Sequence, residues 1–260
     1  MLDEDLQALF AARDQLENPG WIARTSSQLG QMISSPIDRL PNSMQASLNN
    51  AVELSIRKAM DLAIQTIDVR ASGSKPIGKG LDRALSGISG AAGGALGIGG
   101  LVAELPVSTT LMLRSIARIA LEHGEDLSHL EARLACIQVF ALGGQSATDD
   151  HAESGYFVIR ASLAQCVSEA LKQAASSSSL QSGTPVLLKF IKMVAARFGM
   201  TVSQKAAAQM VPVLGAIGGS AVNVAFTHHY QCIAEAHFCV RKLERKYGAD
   251  AVQSAYFSTL

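Results

Sequence analysis

Apolar residues recur every three to four positions through most of this chain, the spacing of a helix with one buried face. The N-terminal stretch places Leu2, Leu6, Leu9, Phe10 and Leu16 on such a face. Pro19 and Gly20, within ENPGW, end it, and two short helices follow up to Pro41. From Asn42 to Ile67 the pattern resumes through Val52, Ile56, Ala59, Met60, Ala63 and Ile67. ASGSKPIGKG is a polar connection, and a Gly/Ala-rich run then leads into a helix ending at Gly124. A further helix runs to Leu142, started by the Ser-x-x-Glu capping box of Ser128 and Glu131. ESGYFVIRASLAQCVSEALKQAA is another helix, and SSSSLQSGTP is a flexible loop. One or two helices broken around Gly199 precede Pro212, and a last long helix ends at Gly248 as its C′ residue.

No stretch alternates with period two over five or more residues between turn signals. The expected fold is therefore all-α: a multi-helix bundle with long, closely packed Gly/Ala-rich helices and no significant β-sheet. Residues 1–41 read as an N-terminal helical segment packed on a main helical domain of residues 42–260. The segments ending IALEHGED and LERKYGAD share a layout, with a small-residue apolar entry and a charged exit before Gly and Asp. That layout fits two equivalent long helices or two helices of like composition.

Composition narrows the function classes. With 260 residues and 48% apolar content, the chain can bury a sizeable core. Twenty-two basic residues balance 22 acidic ones, and no aromatics interleave with the short basic clusters, which argues against nucleic acid as a partner. The acidic start MLDEDLQALF lacks a secretory signal pattern, so a cytoplasmic setting is expected, with membrane association open. Cys136, Cys166, Cys232 and Cys239 are expected as free thiols.

The stretch GISGAAGGALGIGGLVAELPVSTTLMLRSIARI admits three readings. A nucleotide loop fails, because no Lys-Ser/Thr follows the glycines and the Gly-x-Gly-x-x-Gly order breaks at Val102. Membrane insertion draws on two runs without acidic residues, lysine or arginine, Leu85–Ala103 and Ala206–Ala234; both are long enough to span but rich in Gly, Ala and Ser. Close helix contact draws on the i, i+4 pairs Gly90–Gly94, Gly93–Gly97 and Gly215–Gly219, with Gly218 beside the last. Close packing of two small-residue helices, in a bundle or at a membrane, is the preferred reading.

No catalytic motif is legible, and no cofactor or metal is expected. SGY at Ser154 lacks a nucleophile elbow, and His151 follows Asp149 and Asp150 in a loop. Polar residues inside apolar helices give one candidate site: Glu104, Ser108, Arg114, Arg118, Asn223, His228 and Glu235. Glu104, Arg114, Asn223 and His228 are its expected centre, if it is a pocket. Glu104 precedes Pro106, which is expected to kink or restart the helix. His228, Cys232, Glu235 and Cys239 form a stripe, but Cys239 lies about 16 Å along the axis from His228, too far for one tetrahedral ion.

Four stretches in order, GAAGGALGIGGLVAELPVSTTLMLRSIARIALEHGEDL, EARLACIQVFALGG, VPVLGAIGGSAVNVAFTHHYQCIAEAHF and CVRKLERKYG, resemble the EcsC-like proteins. The resemblance covers most of the chain beyond ENPGW. It implies a bacterial, cytoplasmic, mostly helical protein whose family name comes from an operon encoding an ABC transporter, without likeness to its ATPase or permease. It implies no reaction. The signature residues matched are Glu104, Leu105, Pro106, Arg114, Gly124, Gly215, Asn223, Arg241 and Glu244. The function expected is that of a membrane-associated or transporter- or secretion-associated accessory module; the alternative is an enzyme or small-ligand-binding protein with a polar pocket around Glu104, Arg114, Asn223 and His228.

Overall fold

A computed structural model describes residues 1–17, 42–64, 97–144, 155–176, 183–209 and 215–258. Among them every regular element is helical: α1 (Asp3–Glu17), α2 (Asn42–Ile64), α3 (Gly97–Glu122), α4 (Leu130–Leu142), α5 (Tyr156–Ser176), α6 (Pro185–Gln209), α7 (Gly215–Tyr247) and α8 (Ala249–Phe257). The ENPGW turn, the short helices before Pro41, the ASGSKPIGKG connection, most of the SSSSLQSGTP loop, Asp149–His151, Pro212 and Gly90, Gly93 and Gly94 lie outside the described residues.

The most apolar helix occupies the centre. Every residue of α4 from Leu134 to Leu142 is buried, and α2, α3, α5, α6 and α7 all pack on it. A helix apolar on all sides must be surrounded, because any solvent-facing side would forfeit burial. Phe140 of α4 meets Phe198 of α6 and Tyr230 of α7, with ring centroids 5.1 and 5.5 Å apart. Each such ring contributes about 1.5–3 kcal/mol by burial. Gly143 and Gly144 end α4 where Arg197 and Tyr230 leave no room for a side chain.

Polar pairs set the direction of α3 against α7. Gln231 Nε2 donates to Ser115 Oγ at 2.8 Å, and His123 Nε2 donates to Glu235 Oε2 at 2.8 Å. Arg241 Nε donates to Glu125 Oε1 at 2.8 Å. Partners advance together along both helices, so α3 and α7 run parallel and begin at the same end of the bundle. Helix α1 lies against α7 and α8, with Asp5 accepting from Lys246 and Tyr247 at 2.6 Å each and Glu17 accepting from the Tyr256 hydroxyl at 2.7 Å.

Several boundaries depart from the sequence reading. Helix α6 runs unbroken through Gly199, which faces the α2 residue Val52 with a van der Waals gap instead of a turn. Pro106 lies inside α3 without restarting it, so Val102 loses only the one amide partner that proline cannot supply. The Ser128 capping box does not form: His129 is the N-cap, without a side-chain bond. The Asp126 carboxylate instead takes the Ser128 N–H at 2.9 Å, and Glu131 turns to Arg241 at 3.5 Å. Helix α8 has no counterpart in the sequence reading.

Candidate functional site

One fully buried lysine joins three helices. Lys205, on α6 with 0% side-chain exposure, donates to Glu104 Oε1 of α3 at 3.2 Å and to Asn223 Oδ1 of α7 at 2.6 Å. Its ammonium also sits 4.9 Å from the centroid of Phe226. Burial pushes the lysine's proton affinity down, outweighing the upward pull of the Glu104 charge and hydrogen bond. The second carboxylate oxygen of Glu104 has no partner, nor do the buried hydroxyls of Thr109 and Thr227. Ser108, one turn beyond Glu104, donates to the Leu105 carbonyl of its own helix at 3.2 Å. The node can bind charge and hold α3, α6 and α7 in register.

The far end of the α3–α7 pair is densely charged. Gly124 ends α3 with φ of 81°, and its N–H bonds Leu121 O while that of Glu125 bonds Ala120 O. This is a Schellman stop, which favours glycine because a Cβ is strained at positive φ. The stop aims Glu125 at α7, where Arg241 binds it through two nitrogens and Arg245 adds a third contact. Burial raises the Glu125 carboxyl, but the Arg241 hydrogen bonds and the two guanidinium charges outweigh it and hold it below the ordinary glutamate range.

Arg160 of α5 forms a bidentate pair with Glu244 of α7, at 2.8 and 2.9 Å, and donates to the Tyr156 hydroxyl at 3.0 Å. That hydroxyl shares a 2.9 Å hydrogen bond with His237 Nδ1, leaving buried Nε2 unpartnered. Burial, then the charges of Arg160 and Arg241, keep His237 neutral by pushing its pKa well below 6.5.

Three of the four cysteines have thiols held in the protonated form. The Cys136 thiol is pushed up to about 12, mainly by burial, and burial likewise raises Cys166 and Cys239. All four cysteines are free thiols. No group of three or more His, Cys, Asp or Glu among the described residues is arranged to hold a metal ion.

The profile of the EcsC protein family matches residues 12–243. The chain belongs to the EcsC family. No curated protein and no solved structure matches it.

Within this EcsC chain the signature residues separate into two groups. Glu104 and Asn223 meet at Lys205; Gly124 forms the stop that aims Glu125; Arg241 and Glu244 anchor the charged end. The structure does not gather Glu104, Arg114, Asn223 and His228 into one pocket, because Arg114 and His228 are exposed. Helical phase explains this: Arg114 is about 80° round the helix from Glu104, on the solvent-facing stripe of Ala103, Val107 and Leu121. Arg118 lies 3.4 Å from Ser115 Oγ and 3.8 Å from Glu122, while Glu235 pairs with His123. His228 approaches Cys232, its Nδ1 3.6 Å from Sγ. Gly97 begins α3, and Gly215, Gly218 and Gly219 lie in the opening turns of α7.

Lys205 was not among the residues expected at the site. Its signal was its isolation: the next Lys or Arg along the chain is Arg241. No helix among the described residues is long and apolar enough to cross a membrane.

Proposed function

We propose that this EcsC protein is a non-enzymatic accessory module that docks on a membrane, or on a membrane-protein partner, with the end of the bundle where α3 and α7 begin. The observation behind this reading is the parallel course of the two helices. It brings the small-residue starts Gly97–Ala103 and Gly215–Ala221 to one end, with the ion pairs of Glu125, Arg160, Arg241 and Glu244 toward the other. The chain leading into each start is also uncharged, from Leu85 to Leu96 and from Ala206 to Leu214. Ala103, exposed on α3 about 9 Å from its start, adds an apolar side chain near that end. Shallow peripheral contact fits such a layout, because spanning would strand the buried Lys205–Glu104 pair in hydrocarbon. A cytoplasmic setting belongs to this reading. The competing idea, an enzyme or ligand pocket centred on Glu104, Arg114, Asn223 and His228, loses support from the exposure of two of the four.

Vesicle co-sedimentation of the full chain tests the proposal. The chain sediments with vesicles, and Ala103→Asp lowers the bound fraction while leaving the urea midpoint unchanged. Sedimentation with native membranes but not with protein-free vesicles assigns the contact to a membrane protein. A chain that stays in the supernatant with neutral vesicles, anionic vesicles and native membranes overturns the reading.

A further inference from the structure

A row of polar residues runs along the seam between α3 and α7. On α3, Glu104, Ser108 and Ser115 fall within about 40° of one another around the helix. On α7, Asn223, Thr227 and Gln231 follow at four-residue spacing, with Thr227 midway in phase between the other two. Both ends of the two rows are joined. Lys205 ties Glu104 to Asn223, and Gln231 donates to Ser115 at 2.8 Å. Because α3 and α7 run parallel, the middle residues, Ser108 and Thr227, lie opposite each other between these joints. They are 0% and 1% exposed.

The middle of the seam is not joined by the protein itself. Ser108 Oγ gives its proton to the Leu105 carbonyl of its own helix, which leaves its lone pairs. The Thr227 hydroxyl meets no hydrogen-bonding atom of the protein. Other helical hydroxyls turn back onto their own backbone: Ser55 donates to the Ala51 carbonyl at 2.6 Å and Thr110 to that of Pro106 at 2.8 Å. Thr227 does not take that route. One turn from Ser108, Glu104 Oε2 is buried without a partner, while Lys205 holds Oε1. A carboxylate acceptor, a hydroxyl free to donate and a hydroxyl with lone pairs thus share one buried row. Where a protein leaves such groups unpaired in its interior, ordered water pairs them, typically with about three hydrogen bonds. Lys205 already balances the charge of Glu104, so the row calls for a neutral molecule rather than an ion.

We propose that the α3–α7 seam holds one ordered internal water between Ser108 and Thr227. The water accepts the Thr227 hydroxyl proton and donates to Glu104 Oε2 and to Ser108 Oγ. It completes the hydrogen bonding of a carboxylate that Lys205 meets through one oxygen alone. The inference does not rest on membrane docking, since the seam is interior.

Crystal structures of the full chain and of its Thr227→Val and Thr227→Ser variants provide the test. The parent should show one water within about 3.2 Å of both Thr227 Oγ and Glu104 Oε2. Thr227→Ser keeps the hydroxyl and should keep the water; Thr227→Val should lose it. Oxygen-17 relaxation dispersion in solution should count one long-lived water fewer in Thr227→Val than in the parent and an unchanged number in Thr227→Ser. Should Thr227→Val not fold, the parent structure decides alone. A parent seam without this water, a Thr227 hydroxyl bonded to the Asn223 carbonyl, or a water that persists in folded Thr227→Val overturns the inference.

Discussion

Replacing Lys205 by methionine removes the one cation that meets Glu104 among the described residues and leaves a carboxylate that is 5% exposed without that counter-charge. Methionine roughly matches the length of the lysine stem, so packing changes little and electrostatics dominates the effect. Breaking a buried pair from one side costs about 3–5 kcal/mol, because the remaining charge keeps its desolvation penalty. Asn223 also loses its 2.6 Å donor, which acts in the same direction. Removing both charges is different: Glu104→Leu with Lys205→Met eliminates two desolvation penalties together, and such replacements are commonly neutral or stabilising. Urea unfolding at pH 7 reads both variants through the midpoint, with the slope checking that the same surface is exposed. The single variant should lose about 3 kcal/mol or more and the double variant should recover most of it. A single variant within about 1 kcal/mol of the parent would refute the node as a buried, mutually dependent pair. So would a double variant as weak as the single one.

Three further outcomes follow from the geometry. Buried His237 stays neutral when folded, whereas the unfolded chain takes up a proton near pH 6.5. Its stability contribution is therefore complete above pH 6.5 and declines as pH falls toward the folded value, by about 1.4 kcal/mol per unit; His237→Phe should flatten that part of a pH–stability profile. Glu125 has a lowered folded pKa, so its contribution is present above about 4.5 and is lost as pH falls through the folded value. Glu125→Gln should lower stability at pH 7 and make the acid limb below pH 4.5 shallower in the same profile. Gly144→Ala would drive a methyl group into the Arg197 backbone carbonyl, and thermal melting should report a loss of about 1–3 kcal/mol.

The helical architecture was legible because amphipathic spacing persists over long stretches, as in α2, and because Gly124 and Gly248 stop helices at positive φ. Helix α8 was not legible: nine residues with two buried positions, Val252 and Tyr256, give too short a repeat. Gly199 misled because a glycine in a helix looks like a break when the neighbouring helix is unseen. The site was half legible. Glu104 and Asn223 stood out as polar residues in apolar surroundings, but their common partner sits on a third helix, 101 residues from one and 18 from the other. Spacing along one helix cannot say which side chain a neighbour brings. The same limit hid the pairing of Glu125 with Arg241, 116 residues apart.

The central claim is that the bundle meets a membrane with the end where α3 and α7 start. It is tested most directly by placing one fluorophore at Ala103→Cys and, separately, at Lys242→Cys, in a chain whose four native cysteines are replaced. Brominated-lipid vesicles should quench the label at position 103 and leave that at position 242 unchanged. Equal quenching at both positions or stronger quenching at 242 would contradict the account, as would no quenching at either position together with no binding to native membranes.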